Sequence, residues 1–337
     1  MKKFLLTYLF LFAFISCDKN PSEELVTITG RTMGTTYSVK YLDNSTKDIE
    51  EVKADITRIL KTVNAQMSTY IPSSELSKFN SVRDTSWYQI SYDLAFVINK
   101  SLEICKLSGG ALDITVGPIV NLWGFGPDNK PTAIPSDSAI NEALKSVGWH
   151  NIKVSLDPPR VKKKLPEIYC DLSSTAKGFG VDKVSGYLSS LGVDNYLVEI
   201  GGELKARGKK LLKQKWRVGI AKPDNNATVQ EIIILSNSAM ATSGDYWNYF
   251  EENGVRYSHT VDPTTGRPIT HKLASITVIA ESCLMADGLA TAMDVMGDKK
   301  GYQFALDNNL PAYFIVRNNG EFVVNYTDSF RKFIVKD

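Results

Sequence analysis

Histidine is nearly missing from this chain, with three residues among 337, and cysteine stands at four. A zinc centre of the Cys/His type needs several such ligands at close spacing, and no such cluster occurs. Cys105, Cys170 and Cys283 are scattered through apolar surroundings and read as buried thiols. They leave room for one incidental disulfide and exclude a disulfide framework. No charge of one sign dominates: 39 Lys and Arg against 37 Asp and Glu leave a net +2, with both signs interspersed. That balance gives no footprint for nucleic acid or for an anionic lipid surface. Internal repeats, low-complexity tracts and a second apolar span are absent too. What remains, 43% hydrophobic and 23% charged, is the composition of one sizeable globular unit. Roughly 320 residues beyond a leader are enough to bury a substantial core.

The one apolar run lies at the N-terminus. Lys2 and Lys3 precede Phe4 to Ile15, which is too short to span a bilayer and suits a secretory leader. Ser16-Cys17 ends the run, and polar Asp18-Lys19-Asn20-Pro21-Ser22 follows. A small residue before a cysteine at this place resembles a bacterial lipobox, in which Cys17 becomes the lipidated first residue. The alternative is an ordinary signal peptide beside a chance cysteine. The lipobox divides the chain into a lipoprotein signal peptide (1–16), a lipidated tether (17–24) and a folded domain (25–337). It places that domain outside the cytoplasm, anchored by lipid to a bacterial membrane on its periplasmic side. Several acyl groups on one cysteine hold firmly, where a single chain is marginal.

Patterning along the domain mixes strands and helices. Residues 25–41 read as a hairpin broken at Gly34, and 47–67 as an amphipathic helix with Ile49, Val52, Ile56, Ile59, Leu60 and Val63 on one face. A helix over 92–107 stops at Gly109-Gly110. Residues 117–130 read as a loop, 136–147 as a helix, 165–172 as a strand and 177–191 as a helix. Strands are expected at 195–200, 203–207, 216–221, 229–235 and 239–242. A strand over 273–280, a helix over 283–295 and strands at 312–316 and 321–324 complete the chain. No linker divides it. The fold class is α+β, a single globular domain of largely antiparallel sheet with packed helices.

Four stretches carry chemistry. Ala286-Asp287-Gly288-Leu289-Ala290-Thr291 opens a helix whose apolar face is Leu289, Ala292, Met293 and Met296. On the opposite stripe Asp287 and Thr291 stand four apart and share a face. A carboxylate and a hydroxyl so placed are hard oxygen ligands for magnesium, which completes its shell with water or phosphate oxygens. The plainer reading is a charged first turn and a small surface residue. Asp171 to Gly180 runs from a strand into a helix through Ser173, Ser174 and Thr175. Free amides at that helix start, with Lys177, suit phosphate oxygens; an ordinary Ser/Thr-capped helix is the competing account. Gly201-Gly202 before Glu203 marks a tight turn or a close ligand approach. His259 precedes the strong turn sequence Asp262-Pro263-Thr264-Thr265-Gly266, which would fix the geometry around a base or a hydrogen-bond donor.

Taken together and in order, these segments resemble the ApbE family of FAD:protein FMN transferases. The resemblance is carried by Arg31 to Tyr37, Met67 to Tyr70, Ser74 to Asn80, Gly110 to Pro118, Asn121 to Gly126 and Asp171 to Gly180. It continues through Gly201-Gly202-Glu203, Thr242 to Tyr246, Ser258 to Pro268 and Ala286 to Thr291, so it covers nearly the whole domain. It implies an ApbE-like, T-fold-related architecture. It also implies an enzyme that uses Mg2+ and takes FAD as substrate. Such an enzyme moves FMN to a Thr or Ser hydroxyl of an acceptor protein by a phosphoester bond and releases AMP. The partner would be a redox membrane complex or extracytoplasmic flavoprotein with an Asp-Gly-x-Ser/Thr-Gly-Ala-Ser/Thr type motif. By position Asp287 and Thr291 match the metal-binding side chains, and the carbonyl of Ala176 a backbone ligand. Lys177 falls beside the pyrophosphate. Met33, Tyr70, Ala111, Asp113 and Val261 match positions that contact flavin or adenine. His259 matches the histidine that assists the acceptor hydroxyl, so His259 and Asp287 are the catalytic pair. Some relatives carry an acidic residue directly before the metal-binding Thr; here it is Ala290, which implies fewer protein oxygens and more water on the metal.

Two other readings stay open on the sequence. The chain could hydrolyse FAD to FMN and AMP with water in place of the protein hydroxyl. It could also be a flavin-binding lipoprotein without catalysis, although a pure binder has no need of a metal at the pyrophosphate.

Overall fold

The computed structural model describes residues 24–43, 47–127, 134–224, 228–244, 249–252 and 255–335. The expected signal peptide, Cys17 and all but the last residue of the tether lie outside them, as do Asp245 and Tyr246. No helix among the described residues is long and apolar enough to cross a membrane.

An eight-stranded sheet organises the domain, and its strands lie side by side in the order in which the chain meets them. They are Glu24–Thr32, Thr35–Asp43, Tyr196–Ile200, Glu203–Arg207, Ser238–Gly244, Leu273–Ala280, Ala312–Asn318 and Glu321–Tyr326. Every neighbouring pair is antiparallel. The first two strands join through Met33 and Gly34, both at positive φ. Two left-handed residues in succession make the turn whose twist matches that of the strands. Gly201 and Gly202 make a second such turn before Glu203. Because Thr35–Asp43 pairs with Tyr196–Ile200, the two turns emerge together at one edge of the cleft described below.

The described residues form seven α-helices: α1 (Ile49–Met67), α2 (Glu75–Ser81), α3 (Tyr92–Leu107), α4 (Gly117–Leu122), α5 (Asp137–Leu144), α6 (Ala176–Ser190) and α7 (Cys283–Asp307). Helix α1 buries Val52, Ile56, Leu60 and Val63 as its periodicity predicts, while Ile49 stays exposed. The sheet's other face is covered by a hairpin, Trp216–Ala221 with Val229–Leu235. Together they bury Trp216, Ile233, Leu235, Met240, Tyr313 and Phe330. The central strand Leu273–Ala280 is buried on both faces because both are covered. Cys105, Cys170 and Cys283 are free, buried thiols, as expected.

Several elements depart from the sequence expectation. Residues 165–172 form no strand. They begin with a turn closed by the N–H of Ile168 on the carbonyl of Leu165, and beyond it Cys170 is held at both its N–H and its carbonyl by the buried amide of Asn80, 2.8 Å each. The stretch expected as a loop from Gly117 begins with helix α4, started by Pro118 in its first turn. A small sheet of Tyr88–Gln89, Ile152–Leu156 and Pro159–Lys163 was not expected. Helix α7 continues past Val295 to Asp307, broken at Gly297 where φ is 77°. Its first turns are buried almost all round, so the polar stripe expected for Asp287 does not face solvent.

Candidate functional site

Helices α6 and α7 meet at their N-terminal turns, and glycine makes the approach possible. A Cβ on Gly178 would fall 2.4 Å from the carbonyl oxygen of Cys283 and 2.8 Å from the Cα of Leu284. At this closeness each helix caps the other. Asp182 of α6 accepts the N–H groups of Cys283 at 3.1 Å and Leu284 at 3.0 Å, at the start of α7. In return Asp287 of α7 accepts the N–H of Gly178, at 3.0 Å, in the first turn of α6. Carboxylates at helix N-termini satisfy orphan donors and oppose the positive end of the dipole. The Ser/Thr cap considered from sequence is absent: Thr175 makes no side-chain cap, and its hydroxyl meets that of Ser101 at 3.0 Å. Helix α7 starts at Cys283, so Asp287 stands in the second turn rather than the first.

Three charged groups converge here. The Lys177 ammonium lies 2.7 Å from Glu203, which is 2% exposed, and Asp287 is 6% exposed. Burial, with the nearby Glu203 carboxylate, pushes Asp287 well above the usual carboxylate range, against the pull of Lys177 and the Gly178 N–H. Burial likewise raises Glu203, although Lys177 opposes it. Burial pulls Lys177 down, but the charges of Glu203 and Asp287 outweigh it and its value rises. Oε2 of Glu203 is buried without a hydrogen-bond partner. Two buried carboxylates beside one ammonium leave the cluster short of positive charge. Among the described residues no three His, Cys, Asp or Glu side chains form a metal-holding group.

On another wall stands the segment of His259. Asp262 folds the turn after it, accepting the N–H of Thr264 with its side chain and that of Gly266 with its carbonyl, each at 2.8 Å. Gly266 takes a positive φ of 65°, and its carbonyl accepts the indole N–H of Trp123 at 2.8 Å. The turn sequence therefore does fix this region. The His259 ring sits edge-on to Phe125, with centroids 6.4 Å apart.

Between these walls opens a cleft of about 700 Å³. Met33, Tyr70, Ala111, Asp113, Lys177, His259, Val261, Asp287 and Thr291 all line it, from segments spread over most of the domain. Tyr70 is 64% exposed and its hydroxyl donates to the carbonyl of Phe125, so its ring stands at the mouth. Asp113 faces inward: one carboxylate oxygen accepts from the N–H and hydroxyl of Thr115, the other from the N–H of Trp149. Ala176 is the one site residue of the described chain that does not line the cleft; Ser173 and Ser174 do. As the first residue of α6, Ala176 directs its carbonyl along the helix axis toward the fourth residue on. Ala290 is buried in the core. Sequence reasoning did not single out Asp171, Glu203, Ser243 or Phe125 for the cleft, nor Asp294 behind it. A carboxylate in an otherwise apolar helical stretch was the signal available for Asp294.

Comparison with known proteins decides the kinship. The family model described as the ApbE family matches residues 33–314. The chain belongs to the ApbE family. A Vibrio cholerae protein named FAD:protein FMN transferase is 43% identical over the full length of both chains. A Haemophilus influenzae protein of the same name is 45% identical, covering 94% of this chain and 93% of its own. The crystal structure of the Vibrio cholerae flavin transferase ApbE superposes with a TM-score of 0.86 at 43% identity, over 92% of this chain and 99% of that one. The Thermotoga maritima ApbE structure gives 0.84 at 29% identity, over 93% and 100%. The α+β architecture with its antiparallel sheet is thus the ApbE fold, and the family's enzymes are transferases.

Proposed function

We propose that this ApbE chain is a magnesium-dependent FAD:protein FMN transferase. The observation that carries it is the single cleft that sets Lys177, Asp287 and Thr291 on one wall and His259 on another. The donor set fits magnesium rather than zinc, since it offers a carboxylate and a hydroxyl without soft ligands. Burial keeps the carboxyls of Asp287 and Glu203 above the usual range, and a cation beside them would restore their charged form. Asp287 and Thr291 would hold that ion, leaving its remaining positions for substrate phosphates and water. Ala176 lies outside the cleft lining and is not needed for this arrangement. When bound, magnesium neutralises charge on the pyrophosphate oxygens.

The chain's own residues then do five things. Lys177 pairs with the pyrophosphate of FAD from the first turn of α6. Tyr70 and Met33 flank the rings, and Asp113 ties down the loop that presents Ala111. Val261 closes the wall beside His259. His259 takes the proton of an acceptor Thr or Ser hydroxyl as its oxygen bonds to the FMN phosphorus. The bond from that phosphorus to the AMP oxygen breaks, its electron pair leaves with AMP, and FMN stays on the acceptor as a phosphoester. In phosphoryl transfer of this loose kind, positioning and charge neutralisation outweigh base strength.

The test pairs single-turnover transfer to an acceptor peptide with an FAD titration, each with magnesium and with a chelator. Asp287→Asn keeps an oxygen for Gly178 and should lose both FAD affinity and transfer. His259→Ala should slow transfer toward the lower end of ~10²–10⁴ while FAD binding holds. Normal turnover with lost FAD binding in His259→Ala would make His259 a ligand contact. AMP release that needs no acceptor would make the enzyme a hydrolase. We also place the enzyme on the periplasmic side, lipidated at Cys17, on the strength of the lipobox.

A further inference from the structure

Asp294 lies 0% exposed on α7, seven residues beyond Asp287, and belongs to no part of the machinery above. One of its carboxylate oxygens accepts two hydroxyls, from Ser243 at 3.1 Å and from Thr260 at 2.9 Å. Its backbone carbonyl meets Nε2 of His271 at 2.6 Å. The residue therefore binds the end of strand Ser238–Gly244 and the segment of His259 to the helix that carries Asp287 and Thr291. Both residues also line the cleft, and Thr260 directly follows His259. A hydroxyl has one proton to give and two lone pairs. With both protons committed to Asp294, Ser243 and Thr260 can offer the cleft only lone pairs.

We propose that Asp294 is a positioning residue that makes Ser243 and Thr260 a pair of hydrogen-bond acceptors, forming a subsite for donor groups of the acceptor polypeptide beside His259. The donors that fit are backbone N–H groups and the hydroxyls of Ser or Thr. A phosphate or carboxylate, which has only lone pairs to offer, is turned away. The inference rests on the proposed transfer to a protein hydroxyl, and it assigns to this wall the recognition of that partner rather than of FAD. Water can occupy the same two acceptors, but it does not gain the paired contacts that a peptide makes there.

Asp294→Asn tests the subsite without loss of volume, because an amide nitrogen in place of the one oxygen that accepts both hydroxyls donates to them and turns them around. The probe is a peptide carrying the Asp-Gly-x-Ser/Thr-Gly-Ala-Ser/Thr motif. The peptide KM should rise about tenfold, the worth of one hydrogen bond of about 1.4 kcal/mol, while the FAD KM stays within about twofold. Ser243→Ala and Thr260→Val each remove one acceptor and should raise the peptide KM in the same direction, and they decide the matter if Asp294→Asn folds poorly. Three histidines make the imidazole NMR signals separable. The peptide should move the His259 signal in the wild type, and about tenfold more peptide should be needed in Asp294→Asn. Peptide binding seen this way without transfer would remove the proposed activity and leave the subsite standing. Wild-type transfer with an unchanged peptide KM in all three variants, or a FAD KM that rises as much as the peptide KM, overturns the subsite.

Discussion

Asp113 shows what a single buried carboxyl does for the cleft. Its two oxygens take three donors, two from Thr115 and one from Trp149, and so close the loop after α3. Burial pushes its carboxyl up from the usual range, and these hydrogen bonds only partly oppose that. A raised folded value means the folded state keeps a proton that the unfolded chain has lost. The stability linked to it is fully present below the unfolded value of about 4 and is lost as pH climbs through the folded value. Asp113→Asn cannot titrate and sets an amide against one donor, at a cost of about 1–3 kcal/mol. The gap in melting temperature between wild type and Asp113→Asn should therefore be widest in acid and narrow toward neutral pH. A gap that widens with rising pH would mean that the folded carboxyl sits below its ordinary range, the opposite of what burial produces. At this scale the sequence was legible in which residues meet: Asp287, Thr291, Lys177 and His259, singled out by residue type, all line the cleft. Glu203, directly after a glycine turn, carries no such sign: its part comes from facing Lys177 across 26 positions of chain.

Among elements, the crossing of α6 and α7 governs the site. Neither helix orients its own first turn alone; Asp182 and Asp287 do so reciprocally. Glycine-to-alanine substitutions at two places on α6 should have opposite signs. At Gly178 the new Cβ meets rigid backbone of α7, so the helices must part, at about 1–3 kcal/mol. FAD affinity should fall with it, since Asp287 and Lys177 separate. At Gly186 nothing lies within 4 Å, and alanine should stabilise by about 0.5–1 kcal/mol through lost backbone freedom. Equal effects in thermal melts would mean the crossing tolerates separation. The sequence told where these helices begin within one or two residues, because their apolar spacing is regular. It did not tell that α7 is buried almost all round, since Asp287 and Asp294 broke the pattern from inside. The segment 165–172 misled for a related reason: its apolar residues pack like a strand, but the Asn80 side chain, not a neighbouring strand, takes its backbone groups.

At the scale of the molecule, the described walls of the cleft run from Met33 to Val295, all of them beyond the expected leader and tether. The cleft and the expected address therefore belong to separate stretches of chain. On the proposed lipobox reading, attachment to a membrane would rest on Cys17. Its strength would come from acyl chains, each stabilising by about 0.8 kcal/mol per buried CH2, with two or more chains needed for a stable hold. Cys17→Ser leaves the tether sequence otherwise intact and removes every acyl chain at once. It should move the protein from the detergent phase to the soluble extracytoplasmic fraction. The kcat and KM of the purified protein for FAD and for a soluble acceptor peptide should match those of the wild type. An acceptor embedded in a membrane should be modified more slowly, because the anchored enzyme searches a surface and the released one a volume. A variant that still partitions into detergent, or a mature N-terminus found elsewhere than Cys17, would show that the cysteine is not the anchor.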